Sequence, residues 1–411
     1  MRVLLVHAFH YPRGGVERAA LDESRWLQAA GHEVAHFAIR DERNLPSPTA
    51  AYFAPHAEYG ERAPLLGQLA QLPRAIWSRP AAACMERLLA HWRPDLAHVH
   101  APSRYLTPSV LRPLERAQVP MVMTLHDFKP WCTNRTLFAH GEPCTRCRGG
   151  RHWHAFAVGC VQDSPAKSAI GALEAYVHDL VGAYRGIRLW IAPSAFARDM
   201  AVDLGLDATR VRVVPHGLEP PSTAGTGGDG GLPAPPYALY AGRLSLEKGV
   251  RLLPAIALRL LPATLVVAGE GPLGEWLTDQ ARSLHNLKLV GHLSSARLAR
   301  AVAGAAAVLV PSLSYETFCF AAAEALNAER PVVASRIGAI PELVEHEVTG
   351  LLAAAGDAAG FSEHTLRVLR DPAAPAVWAA EGRRRVRERT DPERHIAALL
   401  ECFRAAGAPG G

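Results

Sequence analysis

Ser312-Leu313-Ser314-Tyr315-Glu316-Thr317-Phe318-Cys319-Phe320-Ala321-Ala322-Ala323-Glu324-Ala325-Leu326 is the stretch on which the fold turns. Ahead of it runs the apolar Ala306-Ala307-Val308-Leu309-Val310, the pattern of a buried strand, and its own alanine-rich half favours a helix. Strand, turn and helix in that order make one step of a parallel α/β sheet. Glu316 falls in the turn and Glu324 about two turns into the helix. A helix start offers unpaired N–H groups and a positive dipole end, which suit a diphosphate or a polyhydroxylated sugar. A carboxylate at the mouth and another further in are acceptors for hydroxyls, as an acidic side chain is for a ribose in dinucleotide sites. Two glutamates on an ordinary solvated helix would look the same, so the pair gains meaning only from its surroundings.

Working outward through the second half, Tyr237-Ala238-Leu239-Tyr240-Ala241-Gly242-Arg243 is a strand, and Leu244-Ser245-Leu246-Glu247-Lys248-Gly249 opens a helix to residue 261. Arg243 and Lys248 then stand at a strand end and a helix start, a guanidinium fork and a point charge beside open amides, which suits phosphate oxygens. A salt-bridged surface loop is the plain alternative. Thr264-Leu265-Val266-Val267-Ala268-Gly269-Glu270-Gly271-Pro272 and Leu287-Lys288-Leu289-Val290-Gly291-His292-Leu293 follow as strand-and-turn pairs, and residues 349–352 form a last short strand.

The first half repeats the rhythm. Residues 1–9 are a strand; His10-Tyr11-Pro12-Arg13-Gly14-Gly15-Val16 leads into a helix ending near residue 30. A glycine pair at that place lets backbone approach a phosphate closely, and equally makes a tight turn. Leu96-Ala97-His98-Val99-His100 and Met121-Val122-Met123-Thr124-Leu125-His126-Asp127 are strands with polar ends, where open α/β sheets place ligands. His98 and His100 are read as structural, and His126-Asp127 as a polar outpost in a cleft. Val211-Arg212-Val213-Val214-Pro215-His216-Gly217 closes this half, and the run from Pro220 to Gly231 is too poor in apolar residues to pack.

The glutamate spacing, the preceding Pro311-Ser312, the following Pro331-Val332-Val333-Ala334-Ser335-Arg336-Ile337-Gly338-Ala339-Ile340-Pro341-Glu342-Leu343-Val344, the Gly-Arg…Lys-Gly loop and the Gly-x-Gly-Pro turn together resemble family 4 glycosyltransferases. The resemblance implies a GT-B fold of the α/β class: two Rossmann-like domains with parallel sheets facing across a cleft. It implies an acceptor-side domain over 1–217 with a cysteine-rich insert at 128–162, a flexible linker over 218–236, a nucleotide-sugar donor domain over 237–390, and a terminal helix at 391–406 crossing back to the first domain. It also implies retaining transfer from a nucleotide-diphosphate sugar to a hydroxyl of a glycan, a lipid-linked or a small-molecule acceptor.

Carried residue by residue, the resemblance makes His126, Arg243, Lys248 and Glu316 catalytic. It makes Gly14, Gly15, Asp127, Gly242, Gly271, His292, Leu293, Thr317, Phe318, Cys319 and Glu324 donor-binding, with Glu316 on sugar hydroxyls and Glu324 on the nucleotide's ribose. No Asp-x-Asp motif stands at a strand end to hold Mg²⁺, so fixed cations are expected to meet the charge of the departing diphosphate, without a catalytic cofactor. No carboxylate pair is placed as nucleophile and acid, which disfavours double displacement. A sugar epimerase or phosphorylase on the same scaffold, or a non-catalytic nucleotide-sugar-binding protein, are the rival readings.

Cys132, Cys144, Cys147 and Cys160 crowd one segment and hold four of the seven cysteines. In a cytosolic chain such crowding points to a structural zinc, with an iron–sulfur cluster or reduced unliganded thiols as the alternatives. At 411 residues, 49% hydrophobic and 20% charged, the chain suits a two-domain globular protein with no membrane span. The opening apolar run is too short for a signal peptide, so a cytoplasmic location is expected, including the inner face of a membrane. A net charge of +5 is compatible with weak peripheral attraction to anionic lipid and is too small to argue for nucleic acid.

Overall fold

A computed structural model describes residues 1–56, 72–102, 105–221, 231–371 and 373–409. Most of the expected linker, 222–230, and residues 57–71 lie outside the described residues. The chain divides into two compact units: Met1–Thr136, Thr145–Gly217 and Pro392–Gly411 form the first, and Leu137–Cys144 with Leu218–Asp391 the second.

The first unit is built on β1 (Arg2–His7), β2 (Glu33–Phe37), β3 (Leu96–His100) and β4 (Met121–Thr124). A short antiparallel hairpin, β5 (Phe138–Ala139) with β6 (Glu142–Pro143), lies in the stretch that belongs to the second unit, and β7 (Ile187–Ala192) and β8 (Val211–Val213) follow in the first. Apart from the hairpin these strands form one parallel sheet in the order β2-β1-β3-β4-β7-β8. Its strands read as continuous apolar runs because both faces are covered. Leu4 and Val6 pack on one side with Met85 and Leu88 of the helix Arg79–His91. Val3 and Leu5 pack on the other with Leu27 of the helix Gly15–Ala29 and with Leu399 and Phe403 of the helix Pro392–Ala405. Leu399 and Phe403 are fully buried, each worth about 2 kcal/mol of transfer free energy.

The second unit repeats the plan with β9 (Tyr237–Ala241), β10 (Leu265–Ala268), β11 (Leu287–Gly291), β12 (Ala305–Val310), β13 (Val332–Ser335) and β14 (Leu351–Ala353), all parallel, in the order β11-β10-β9-β12-β13-β14. Leu239, Val308 and Val310 face Ala322, Ala323 and Leu326 of the helix Phe320–Asn327. Tyr240 and Leu309 face Ile256 and Leu260 of the helix Leu253–Leu260 on the opposite side. In this order the chain runs outward from β9 through β10 to β11, then returns to β12 on β9's other flank. The connections therefore leave β9 and β12 on opposite faces, and a crevice opens at the carboxyl ends of these two neighbours. In the first unit the equivalent switch lies between β1 and β3, where His7 pairs with His100 in register.

Candidate active site

Lys248 and Glu316 meet at the β9/β12 switch. Lys248 lies in the loop after β9, Glu316 in the loop after β12, and Lys248 Nζ donates to Glu316 Oε1 over 2.7 Å. Ser312 Oγ donates to the same oxygen over 2.6 Å. Both bonds fall on Oε1. The two loops lock each other: Leu313 N and Ser314 N donate to Glu247 O at 2.9 and 3.2 Å. Gly249 sits at φ +73° with the Pro311 carbonyl where a Cβ would be, so only glycine fits. Gly338, at φ +59°, closes against the backbone of Glu316, whose carbonyl accepts from Ala339 N at 2.9 Å.

The Glu316 carboxyl, 13% exposed, is raised by burial, but the charge and hydrogen bond of Lys248 with the Ser312 hydrogen bond together outweigh it, and it settles below the ordinary carboxylate range. Lys248 would be lowered by burial but is held above the usual lysine value by Glu316. The pair is ionised at neutral pH.

The other expected donor-side residues gather at the same carboxyl edge of the sheet. Gly242 and Arg243, both exposed, follow β9 directly, and the Arg243 carbonyl accepts from Tyr240 Oη at 2.7 Å. Gly271 follows β10 and exposed His292 follows β11. Thr317 is half-buried, and Glu324 is half-buried in the second turn of the helix Phe320–Asn327. Leu293, Phe318 and Cys319 turn their side chains into the core. Cys319 takes a left-handed backbone at φ +75° as it starts that helix, and burial pushes its thiol up to about 12.

In the first unit, exposed Gly14 and Gly15 begin the helix Gly15–Ala29 after β1. His126 and Asp127, half-buried, follow β4, and the Asp127 carboxylate accepts from Lys129 N at 3.0 Å while burial raises its carboxyl. His126 belongs to a histidine array. Its Nε2 lies 2.9 Å from His100 Nδ1, and its ring stacks on His216 at 5.1 Å and 10°. Burial, then His216 and His100, hold it well below the ordinary histidine range, and burial takes His216 to about 3. Behind them Glu23, 2% exposed, sets Oε2 3.1 Å from His98 Nδ1 and 3.2 Å from His100 Nε2.

A family model described as Glycosyltransferase Family 4 matches residues 13–220, and one described as Glycosyl transferases group 1 matches 235–371. The chain belongs to glycosyltransferase family 4. As a member it is an enzyme of sugar transfer, and the two-sheet architecture is the GT-B fold. Glycogen synthase of Mycobacterium tuberculosis is 29% identical over 434 residues, spanning 99% of this glycosyltransferase and 95% of the relative. The phosphatidyl-myo-inositol mannosyltransferase of Mycolicibacterium smegmatis is 24% identical over 397 residues, spanning 94% and 89%. Among solved structures, Anabaena HepE in complex with UDP-glucose superposes with a TM-score of 0.70 over 98% of this chain and 100% of that chain; at 18% identity this is likeness of fold.

The structural zinc expected of Cys132, Cys144, Cys147 and Cys160 is not supported in this glycosyltransferase. Among the described residues, three or more metal-capable ligand atoms lie within 4.8 Å of one another only at His7, His10 and His36 and at Glu23, His98 and His100, and neither group contains a cysteine. None of the four is in a disulfide, and Cys132 Sγ donates to Asn134 Oδ1 at 3.0 Å, while Asn134 Nδ2 donates to the Cys160 carbonyl. Clustering along the chain therefore did not become convergence in space.

Sequence reasoning missed Glu23 as well. A helix glutamate is solvated by default, yet Ala19, Ala20, Ser24 and Leu27 share its buried stripe, and that periodicity was the available signal. Gly249 and Gly338, which shape the loops around Glu316, were quoted only as parts of longer motifs. No helix of the described residues is long and apolar enough to cross a membrane.

Proposed function

We propose that this family 4 glycosyltransferase takes its sugar from a nucleotide-diphosphate donor and transfers it, with retention at the anomeric carbon, to a hydroxyl of a glycan, a lipid-linked or a small-molecule acceptor. The observation that carries this reading is the Lys248–Glu316 pair at the β9/β12 switch: a cation and an acceptor carboxylate held together where a parallel sheet receives its ligand. Lys248 and Arg243 take the charge growing on the departing diphosphate, so no metal is called on for that step. Glu316 Oε2 accepts from a sugar hydroxyl and Glu324 from the ribose. Gly242, Gly271, Leu293, Phe318 and Cys319 offer backbone to the donor, with His292 and Thr317 beside them, while Gly14, Gly15, His126 and Asp127 serve the reacting sugar from residues 1–217. Residues 237–390 form the donor domain, joined to the first through 218–236.

In the transfer step the bond from the anomeric carbon to the diphosphate oxygen breaks. The acceptor oxygen bonds to the same face, and its proton passes to the departing diphosphate. The names of the relatives, a glycogen synthase and a mannosyltransferase, and the UDP-glucose bound to HepE support this class of donor.

Weak contact with an anionic membrane face, from the cytoplasmic side, belongs to the same reading. Trp153, Phe156, Leu173 and Leu180 stand exposed on the helices Trp153–Val158 and Pro165–Val181 with exposed Arg151 and Lys167 nearby in the chain, and none of the seven cysteines is in a disulfide. Vesicle flotation tests that part.

The transfer reading is tested by screening UDP-, GDP- and ADP-sugars for thermal stabilisation, then following the stabilising donor with acceptor present by NMR. A product with the donor's anomeric configuration supports it. Release of an epimerised nucleotide sugar or a sugar 1-phosphate, or no shift with any donor, would sink it.

A further inference from the structure

Glu23 Oε2, His98 Nδ1 and His100 Nε2 converge in the interior of the first unit without bonding to one another. His98 Nδ1 stands 3.1 Å and His100 Nε2 3.2 Å from Oε2, yet all three atoms are buried and none has a hydrogen-bond partner in the protein. The distances suit hydrogen bonds, but the directions do not. Glu23 is 2% exposed and both histidines are 0% exposed, so bulk water does not reach them. Three orphaned polar atoms at one point are a cost that a folded chain carries only where something meets them.

The spacing says what that is. Partners of a buried water, each about 2.8 Å from it in tetrahedral directions, stand about 4.6 Å apart. Ligands of a tetrahedral zinc ion, about 2.0–2.1 Å from it, stand about 3.3 Å apart. The separations of 3.1 and 3.2 Å match the ion.

The atoms behind these three suit ligation as well. His98 Nε2 lies 2.7 Å from Thr124 Oγ1, and His100 Nδ1 lies 2.9 Å from His126 Nε2. Each remote nitrogen thus faces an atom able to accept its hydrogen, which leaves a lone pair on the nitrogen beside Oε2, as in a metal-bound imidazole. His395 Nε2 lies at the other carboxylate oxygen, 3.3 Å from Oε1. Two imidazoles and one carboxylate, with no thiolate, fit zinc. The same set holds iron in oxygenases, but that chemistry needs coordination places open to substrate, and these side chains are sealed. The second convergence of ligand atoms is already engaged, with His7 Nε2 and His36 Nδ1 hydrogen-bonded at 3.0 Å.

We propose that Glu23, His98 and His100 bind a structural zinc ion, whose fourth place falls to a trapped water. The ion ties the helix Gly15–Ala29 to β3 and takes no part in sugar transfer, because none of its ligands reaches the surface. It does not depend on the transfer reading above.

The test is elemental analysis of the purified full chain, as isolated and after dialysis against zinc, with X-ray absorption at the zinc edge. One zinc per chain is expected, in a shell of nitrogen and oxygen at about 2.0–2.1 Å without sulfur. Removing it with a chelator should lower the melting temperature by about 5–10 °C, and zinc should restore it. Glu23→Gln and His98→Gln should lose the metal. His10→Gln and the double variant Cys144→Ser with Cys147→Ser should keep it, since those side chains stand outside the three-atom convergence. Should the ligand variants fail to fold, the metal content and shell of the wild type still decide the matter. Zinc absent from both preparations, another metal in its place, sulfur in its shell, or zinc retained by folded Glu23→Gln and His98→Gln overturns the proposal. Each of those results leaves the transfer reading standing, since that is scored on donor binding and on the product.

Discussion

Replacing Lys248 by alanine separates a chemical role for the Lys248–Glu316 pair from a merely structural one. Two unit charges about 3 Å apart at the dielectric of a near-surface site attract by roughly 5 kcal/mol before desolvation is counted. That gross figure overstates the net value, because the lysine side chain is 36% exposed and water screens it. What the variant loses in stability is mainly the cost of leaving Glu316, 13% exposed, with Ser312 as its remaining donor here, about 1–3 kcal/mol. The effect on catalysis is larger and of another kind. A missing donor at a developing anion costs about 2.7–4 kcal/mol, so kcat should fall on the order of 100- to 1000-fold. Glu316→Gln makes the contrast: it keeps the Ser312 bond but frees Lys248 from its counter-charge, so nucleotide diphosphate should bind no more weakly than to wild type while kcat falls. The assay is nucleotide diphosphate release with the donor that gives the largest thermal shift, alongside calorimetry with the nucleotide diphosphate alone and a melt of each variant. A Lys248→Ala enzyme within about threefold of wild type in kcat, or equal loss of nucleotide affinity in both variants, would refute the reasoning.

Gly249→Ala should lower stability by about 2 kcal/mol or more, since φ +73° and the Pro311 carbonyl both exclude a side chain; an unchanged urea midpoint would count against the interlocked loops. Glu324→Gln should weaken nucleotide binding about tenfold by removing a charge-assisted bond to ribose, and calorimetry showing undiminished affinity would remove that role. The pair also has a pH signature. Glu316 lies below its ordinary 4.5, so its contribution is present above that value and lost as pH falls through its folded pKa. Lys248 lies above 10.5, so its contribution is present below that value and lost as pH rises through its folded pKa. The stability difference between wild type and Glu316→Gln should therefore be flat from about pH 6 to 9 and shrink as pH falls below about 4.5; a difference that does not shrink on acidification would contradict the assignment.

The strands were legible because a sheet buried on both faces writes each strand as an unbroken apolar run, and β12 came out one residue from its expected start, at Ala305. The loops were not legible to the same degree. The run 244–249 was expected to open a helix at once, but left-handed Gly249 interrupts it, and two single turns, Leu246–Lys248 and Val250–Leu252, precede the helix Leu253–Leu260. Likewise the helix carrying Glu324 waits until Phe320, because the backbone after β12 is first committed to Glu247 and Ala339. Those commitments are between segments far apart in sequence, which no local pattern records. The cysteines show the converse: a local pattern was plain, and nothing in it said whether the chain between Cys132 and Cys160 would fold back on itself.

The two sheets place acids at their switch points in different ways, and exposure decides what each acid can do. Glu316 is reached by solvent and shares a cation that is more exposed still, so a ligand phosphate can compete for Lys248 and a ligand hydroxyl for Oε2. Glu23 is sealed at 2% exposure among rings that are equally sealed, so it cannot touch a substrate at all. A buried charge with no access to ligand is costly to maintain, and well-packed apolar residues would serve stability as well or better. The atoms nearest its Oε2 are histidine nitrogens, His98 Nδ1 at 3.1 Å and His100 Nε2 at 3.2 Å. If stability were its only use, Glu23→Leu, which leaves the facing histidines buried without it, would lower stability by about 3–5 kcal/mol and spare kcat of the folded enzyme; loss of kcat in a variant that still melts near wild type would tie the buried acid to the chemistry at the sheet edge.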